Sequence, residues 1–389
     1  MTDQSLGSDL AYLDYNATAP MRPEAEQAVL AAMRTVGNAS STHRSGRDAA
    51  RRVDTARRQV AELLNCTPGE IVFTSGATEA NNLALRAAFS TGGALVTSTV
   101  EHPAVLETAK NLTGEAPGTL RLVPVNEDGL VDLDALHDAL AGGGVAIVSL
   151  MAANNETGVL TALAPIAEAA HAAGALVHTD ATQMAGRLPI DLAKTDVDLL
   201  SLSAHKFGGP QGVGALFVRR GIPLPYRPLI FGGGQERGWR AGTLNVAGIA
   251  GAGAAAEAAL HGMAHERAQV ARLRDLLESA LVEQISDCRI NGALGLRLPG
   301  VTSITFRGAP ADAVLAAMPD VAASEGSACA SGAPSPSHVL LGMGRSRDEA
   351  DSTVRFSLGY ASTDRDVIQA VSSTVRAVRQ VRAAMSTPV

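Results

Sequence analysis

The sequence predicts an α/β fold with two parts. A large domain is built on a mainly parallel seven-stranded sheet, and a smaller α+β domain follows it. Three observations carry this reading. Between residues 70 and 220, seven short apolar runs alternate with helix-like stretches. After about Gly253 the alternation stops, and a long Ala-rich stretch leads into widely spaced strand-like and helical runs. The chain has 389 residues, enough for two domains each with its own core. We expect domain units at 16–253 and 254–389, with residues 1–15 packing on the second.

In the first unit, strands are expected at Glu70–Phe73, Ala94–Thr97, Leu120–Val125, Val145–Leu150, Ala175–Thr179, Leu199–Ser203 and Val213–Val218. Each is a short apolar run bounded by turn-forming or polar residues, as buried strands are. Helices are expected between them at Ala77–Phe89, Ala104–Asn111, Leu133–Ala141 and Ala162–Ala173, where Ala and Leu dominate. In the second unit a long helix over Ala254–Ile285 precedes a strand (Val301–Phe306), a helix (Ala311–Met318), a strand (Thr353–Leu358) and a helix (Asp364–Ala384). No internal repeat interrupts this order.

Composition excludes several classes. Hydrophobic residues make up 46% and charged residues 18%, which fits a packed globule and not a disordered chain. A formal net charge of −7 argues against general nucleic-acid affinity. No apolar stretch is clean enough for a membrane span, and Met1 to Leu10 carry two acids and no basic residue, unlike a targeting peptide. Three cysteines do not make a disulfide framework, and no Cys/His spacing suggests a metal. The expected location is cytoplasmic.

The polar residues after the expected strands are more telling. Thr74-Ser75-Gly76-Ala77-Thr78 follows the first, Glu101-His102 the second, Asn154-Asn155-Glu156 the fourth, Asp180 and Gln183 the fifth, and Ser203, His205 and Lys206 the sixth. Ligands of open α/β sheets bind beyond the carboxyl ends of strands. A lysine at the end of a buried strand suits an imine-forming amine, and a strand-end aspartate suits the partner of a pyridinium nitrogen. Lys206 and Asp180 therefore suggest pyridoxal 5′-phosphate (PLP). The small residues before Thr78 suit an anion at a helix N-terminus, or an ordinary cap. His102 is either a packing residue or a ring-stacking proton carrier. Asn155 and Gln183 are either loop amides or partners of a ring hydroxyl. Arg355, inside a strand-like run, needs an anion: an internal carboxylate or the carboxylate of a substrate. Cys329 sits among small, turn-forming residues (Ser324 to Ser337), where an exposed reactive thiol is expected. Cys66 and Cys288 look ordinary.

With these motifs assembled, the chain resembles the NifS/IscS-type cysteine desulfurases of the class V aminotransferase group, which are PLP-dependent enzymes of fold type I. The resemblance runs from Tyr12-Leu13-Asp14-Tyr15-Asn16-Ala17-Thr18 almost to the C-terminus. It includes Gly37-Asn38-Ala39-Ser40-Ser41, Phe73 to Glu79, Asn154-Asn155-Glu156-Thr157-Gly158, Asp180-Ala181-Thr182-Gln183, His205-Lys206, Gly232 to Arg237, Gly242-Thr243, Gly326-Ser327-Ala328-Cys329 and Arg355 to Gly359. It implies conversion of L-cysteine to L-alanine, with the sulfur passing to Cys329 as a persulfide and then to an acceptor such as an iron–sulfur scaffold. It also implies a homodimer.

By motif, Lys206 would hold PLP, Asp180 would meet the ring nitrogen and His102 would stack on the ring. Asn155 and Gln183 would contact the ring hydroxyl. Ala77, Thr78, Ser203 and His205 would bind the phosphate, with Thr243 reaching in from the partner subunit. Arg355 and Asn38, beside Asn155, would hold the substrate. A selenocysteine lyase is the alternative that the same resemblance admits.

Overall fold

The computed structural model describes residues 10–89, 93–114, 119–224, 227–326 and 336–386. Its strands are β1 (Ala11–Tyr12), β2 (Ile71–Thr74), β3 (Ala94–Ser98), β4 (Leu120–Val123), β5 (Val145–Ser149), β6 (Leu176–Asp180), β7 (Leu199–Ser203), β8 (Gly214–Val218), β9 (Cys288–Asn291), β10 (Val301–Phe306), β11 (Val321–Ala322), β12 (Ser324–Glu325) and β13 (Thr353–Ser357). The seven expected runs form one sheet in the order β2-β8-β7-β6-β5-β3-β4. The pairs from β7 to β4 are parallel, and β8 runs antiparallel to both of its neighbours.

Both faces of this sheet are covered, which is why its strands read as continuous apolar runs. Alternate residues go to opposite cores. Ile71, Phe73, Leu200 and Leu202 join one, and Val72 and Leu199 join the other. With few aromatics in the chain, Ala, Val and Leu fill both.

The long helix departs from expectation. It spans Val246–Gln284 and so begins at Val246, not Ala254. Glycines cost about 1 kcal/mol each against alanine in a helix, so the Gly-rich start reads as non-helical. Close packing reverses that preference. A Cβ on Gly253 would lie 2.4 Å from Ala56 Cα, and one on Gly251 would lie 2.6 Å from Val29 Cγ2. The helix of Arg44–Leu64 and that of Pro23–Met33 lean on these bare positions. Asn245 caps the new start by accepting from Gly248 N.

One helix serves two cores. Ile249, Ala252, Ala255, Ala256, Ala259 and Met263 pack on the large sheet, while Val270, Leu273, Leu277 and Leu281 pack on the small one. The small sheet has the order β12-β13-β10-β9 and is antiparallel throughout. Ala11 and Leu13 sit in the small core, where β1 pairs in parallel with β11. Strands β1, β9, β11 and β12 were not expected. They are at most four residues long and leave little pattern in the sequence. No helix among the described residues is long and apolar enough to cross a membrane.

Candidate active site

Beyond the carboxyl ends of the parallel strands lies a cavity of about 380 Å³. Strand β8 enters this edge from the opposite direction, so Gln211 and Gly212, just before it, join the lining. Nine residues singled out in the sequence line it together: Ala77, Thr78, His102, Asn155, Asp180, Gln183, Ser203, His205 and Lys206.

Lys206 ends a short 3-10 turn, Ala204–Lys206, directly after β7. Its Nζ donates to the carbonyls of Asn16 and, at 2.8 Å, Ala17. The backbone of this turn is held from below. Arg187 donates to Lys206 O at 3.2 Å and to Tyr15 O at 2.9 Å. Segment 14–18 thus crosses from the small core to the large sheet and closes over the lysine.

Asp180 ends β6. Its Oδ1 accepts from Thr182 N at 2.9 Å, and its Oδ2 accepts from Asn81 Nδ2 at 2.7 Å. Each oxygen keeps lone-pair capacity for one more donor. His102 caps the helix Pro103–Thr113 by accepting from Ala104 N at its Nδ1, 3.0 Å away. The neutral ring therefore carries its proton on Nε2. Burial pushes the His102 pKa down. The fields of Lys206 and His338 add to this, and Asp180 opposes it.

His205 is held down to about 4 by burial first, then by Lys206 and Arg187, and its Nδ1 meets Thr18 Oγ1 at 3.1 Å. The cradle around Thr78 is the start of the helix Ala77–Phe89. Glu79, in its first turn, is occupied by Ser75 N and Arg240. The helix's leading amides lie at the cavity, where an anion is favoured.

These residues fit PLP. One end of the cavity offers helix amides, hydroxyls and an imidazole to a phosphate. The other offers an oriented carboxylate to a ring nitrogen. Between them, Gln183 donates from Nε2 to Asn16 O at 3.1 Å, and its buried Oε1 has no hydrogen-bond partner among the described residues. A ring hydroxyl would supply the donor that this oxygen lacks.

Three comparisons agree. The chain matches the Aminotransferase class-V family over residues 11–370. The chain belongs to this family. Its cofactor is PLP and it is an enzyme. It is 44% identical over 395 residues to a cysteine desulfurase of Frankia sp. (strain EuIK1), covering 98% of this chain and 94% of that one. It resembles the solved NifS-like protein from Rickettsia africae ESF-5 with a TM-score of 0.86 and 33% identity, covering 95% of this chain and 99% of that one. It also resembles SspA, solved in complex with cysteine, with a TM-score of 0.78 and 31% identity over 90% of this chain and 99% of that one.

Four sequence-predicted residues are not in the cavity lining. Arg355, at the centre of β13, is 2% exposed; it donates to Asp14 Oδ1 at 2.8 Å and to Asn155 O at 3.1 Å. Asn38 is exposed, and its Oδ1 accepts from Ser40 N. Thr243 is exposed as well. It follows a segment anchored by buried Glu236, which takes two bonds from Arg57 (2.6 and 2.7 Å) and one from Phe73 N (2.8 Å). Glu236 and Arg237 both adopt left-handed backbone angles, φ 48° and 53°, which these contacts sustain. Cys329 lies outside the described residues.

Sequence reasoning gave no site role to Asn16, Asn81 or Arg187. Asn81 left a usable sign: a polar residue one turn into an otherwise apolar helix face that begins at the anion cradle. Asn16 and Arg187 left no periodic sign: Asn16 meets Gln183 and Arg187 across 167 and 171 residues of chain.

Beneath Asp180 on the same strand, His178 is fully buried between two hydroxyls, Ser149 Oγ at 2.8 Å and Ser201 Oγ at 3.0 Å. One ring nitrogen donates and the other accepts, so the neutral form is satisfied. Burial pushes the pKa down to about 4, while Asp180 pulls the other way. An unfolded histidine titrates near ~6.5. Between these values the unfolded chain binds the extra proton, so stability present above pH ~6.5 is lost as the pH falls toward 4. Melting temperatures should therefore drop more steeply across this window for wild type than for His178→Asn. Parallel profiles would remove His178 as the cause.

Proposed function

We propose that the protein is a cysteine desulfurase, converting L-cysteine to L-alanine. The sulfur moves first to Cys329, as a persulfide, and then to an acceptor protein such as an iron–sulfur scaffold. The observation that carries this reading is the meeting of Lys206, Asp180 and a helix N-terminus in one cavity, in a chain 44% identical to a cysteine desulfurase.

Bound at Lys206, PLP supplies an electron sink for the substrate's carbon skeleton. The residues do the rest. Lys206 Nζ and His102 Nε2 hold and move protons beside the ring. Asp180 faces the ring nitrogen, and Asn155 and Gln183 orient the ring through its hydroxyl. Ala77, Thr78, Ser203 and His205 bind the phosphate, with Thr243 of the partner subunit completing the set in a homodimer. Arg355 and Asn38 take the substrate carboxylate; the Arg355 Nε, buried and without a hydrogen-bond partner among the described residues, is a donor still to be used.

The Cys329 thiolate attacks the substrate sulfur. A sulfur–sulfur bond forms as the carbon–sulfur bond breaks, and its electron pair stays with the carbon, which is protonated to the methyl of alanine. Thiol and cysteine together give persulfide and alanine, so no outside oxidant enters.

We also propose two domains, 16–253 and 254–389, with residues 1–15 on the second, and a cytoplasmic location. The test is incubation of the purified holoenzyme with L-cysteine and, separately, L-selenocysteine. Equimolar L-alanine and enzyme-bound sulfur from cysteine support the reading. Turnover of selenocysteine alone overturns it.

A further inference from the structure

Glu156 follows Asn155 in the chain but does not line the cavity, and the roles above do not use it. It is 3% exposed. Burying a carboxyl is costly unless its oxygens are put to use. Its Oε2 accepts from Ser337 Oγ at 2.5 Å, and the same hydroxyl caps the next helical turn by accepting from Leu340 N at 3.1 Å. A Cβ on Gly326 would lie 2.7 Å from that Oε2 and 3.4 Å from Ser337 Cβ. One carboxyl oxygen is therefore bonded to Ser337 and lies close beside Gly326, described residues that flank 327–335, the stretch that contains Cys329. Burial pushes the Glu156 pKa up to about 7, against the pull of the Ser337 bond and of Arg355. Arg355, itself held by Asp14, is the charged residue whose field reaches it.

We propose that Glu156 is a positioning residue for sulfur transfer: its carboxyl clasps Gly326 and Ser337 and so fixes where both ends of the Cys329-bearing stretch leave the small sheet and the helix of His338–Gly342. This rests on the reading of Cys329 as sulfur acceptor. Fixing the ends of a short stretch raises the effective concentration of the group it carries, since less chain entropy opposes each productive approach. Gly326 admits the carboxyl because it has no side chain.

The experiment is single-turnover loading of Cys329 with sulfur from excess L-cysteine, read by mass spectrometry on the holoenzyme. Visible absorbance of the bound cofactor is followed in parallel. Glu156→Ala should load roughly tenfold to a hundredfold more slowly. Its cofactor absorbance, and the cysteine concentration giving the half-maximal absorbance change, should stay within about twofold of wild type. Glu156→Gln should recover most of the rate, because its amide oxygen still accepts from Ser337. Glu156→Asp should not, because it keeps the charge but is one methylene too short. Ser337→Ala carries the test if Glu156→Ala does not fold, with a smaller slowing of about threefold to tenfold.

Loading of Glu156→Ala at the wild-type rate overturns the clasp, and so does Glu156→Asp loading as fast as Glu156→Gln. A wild-type enzyme that carries no sulfur on Cys329 overturns the acceptor reading instead, which separates the two failures.

Discussion

With Lys206 replaced by alanine, the purified protein loses the visible absorbance of lysine-bound cofactor and at least roughly a thousandfold of its alanine production. The expectation follows from place and chemistry together. The Nζ stands at the end of a fully buried strand and is half-buried in the lining of the cavity. It is directed by the carbonyls of Asn16 and Ala17. The phosphate cradle and Asp180 lie on other elements and remain. The variant should therefore still bind PLP, now without a covalent bond and with the absorbance of the free aldehyde. An unchanged spectrum would show that another amine holds the cofactor.

Cys329→Ser should have an effect of similar size on a different step. A hydroxyl at this position is a far weaker nucleophile toward sulfur than a thiolate, so enzyme-bound sulfur should fall by roughly a thousandfold or more. Cofactor absorbance and its response to added cysteine should persist, because residues 78, 102, 180 and 206 are untouched. The other cysteines are poor substitutes. Burial pushes the Cys66 thiol up to about 12, and Cys288 is raised as well, mainly by burial. Sulfur found on either of them at the wild-type rate would remove Cys329 from the reaction. The pair of variants divides the chemistry: the lysine change removes the cofactor signal, and the cysteine change spares it.

Much of the site was legible because strand ends are legible. Apolar runs announce buried strands, and the residues that follow them must gather at one sheet edge when the strands are parallel. That logic placed Thr78, His102, Asn155, Asp180 and Lys206 together without any long-range information. It failed where the signal is not periodic. The first turns of the helix Val246–Gln284 fall before the expected start at Ala254, because their glycines disfavour a helix in isolation, and only contact with Ala56 and Val29 makes bare positions favourable. Arg355 left two partners open in the sequence, and in the described structure its carboxylate partner is Asp14, 341 residues away in the chain.

The sequence alone thus determined the chemistry on offer: an amine, a carboxylate, an imidazole and an anion-binding helix start, each at the end of a strand whose burial its own residues dictate. Tertiary structure decided how those groups are held. Asn81 reaches Asp180, Asn16 receives the lysine, and Glu156 joins Gly326 to Ser337, across separations of 99 to 190 residues. Hydrophobic periodicity is a local property and survives in the linear text. A single hydrogen bond between distant side chains has no period, and it exists only once two cores have packed and brought its donor and acceptor within 3 Å or so of each other.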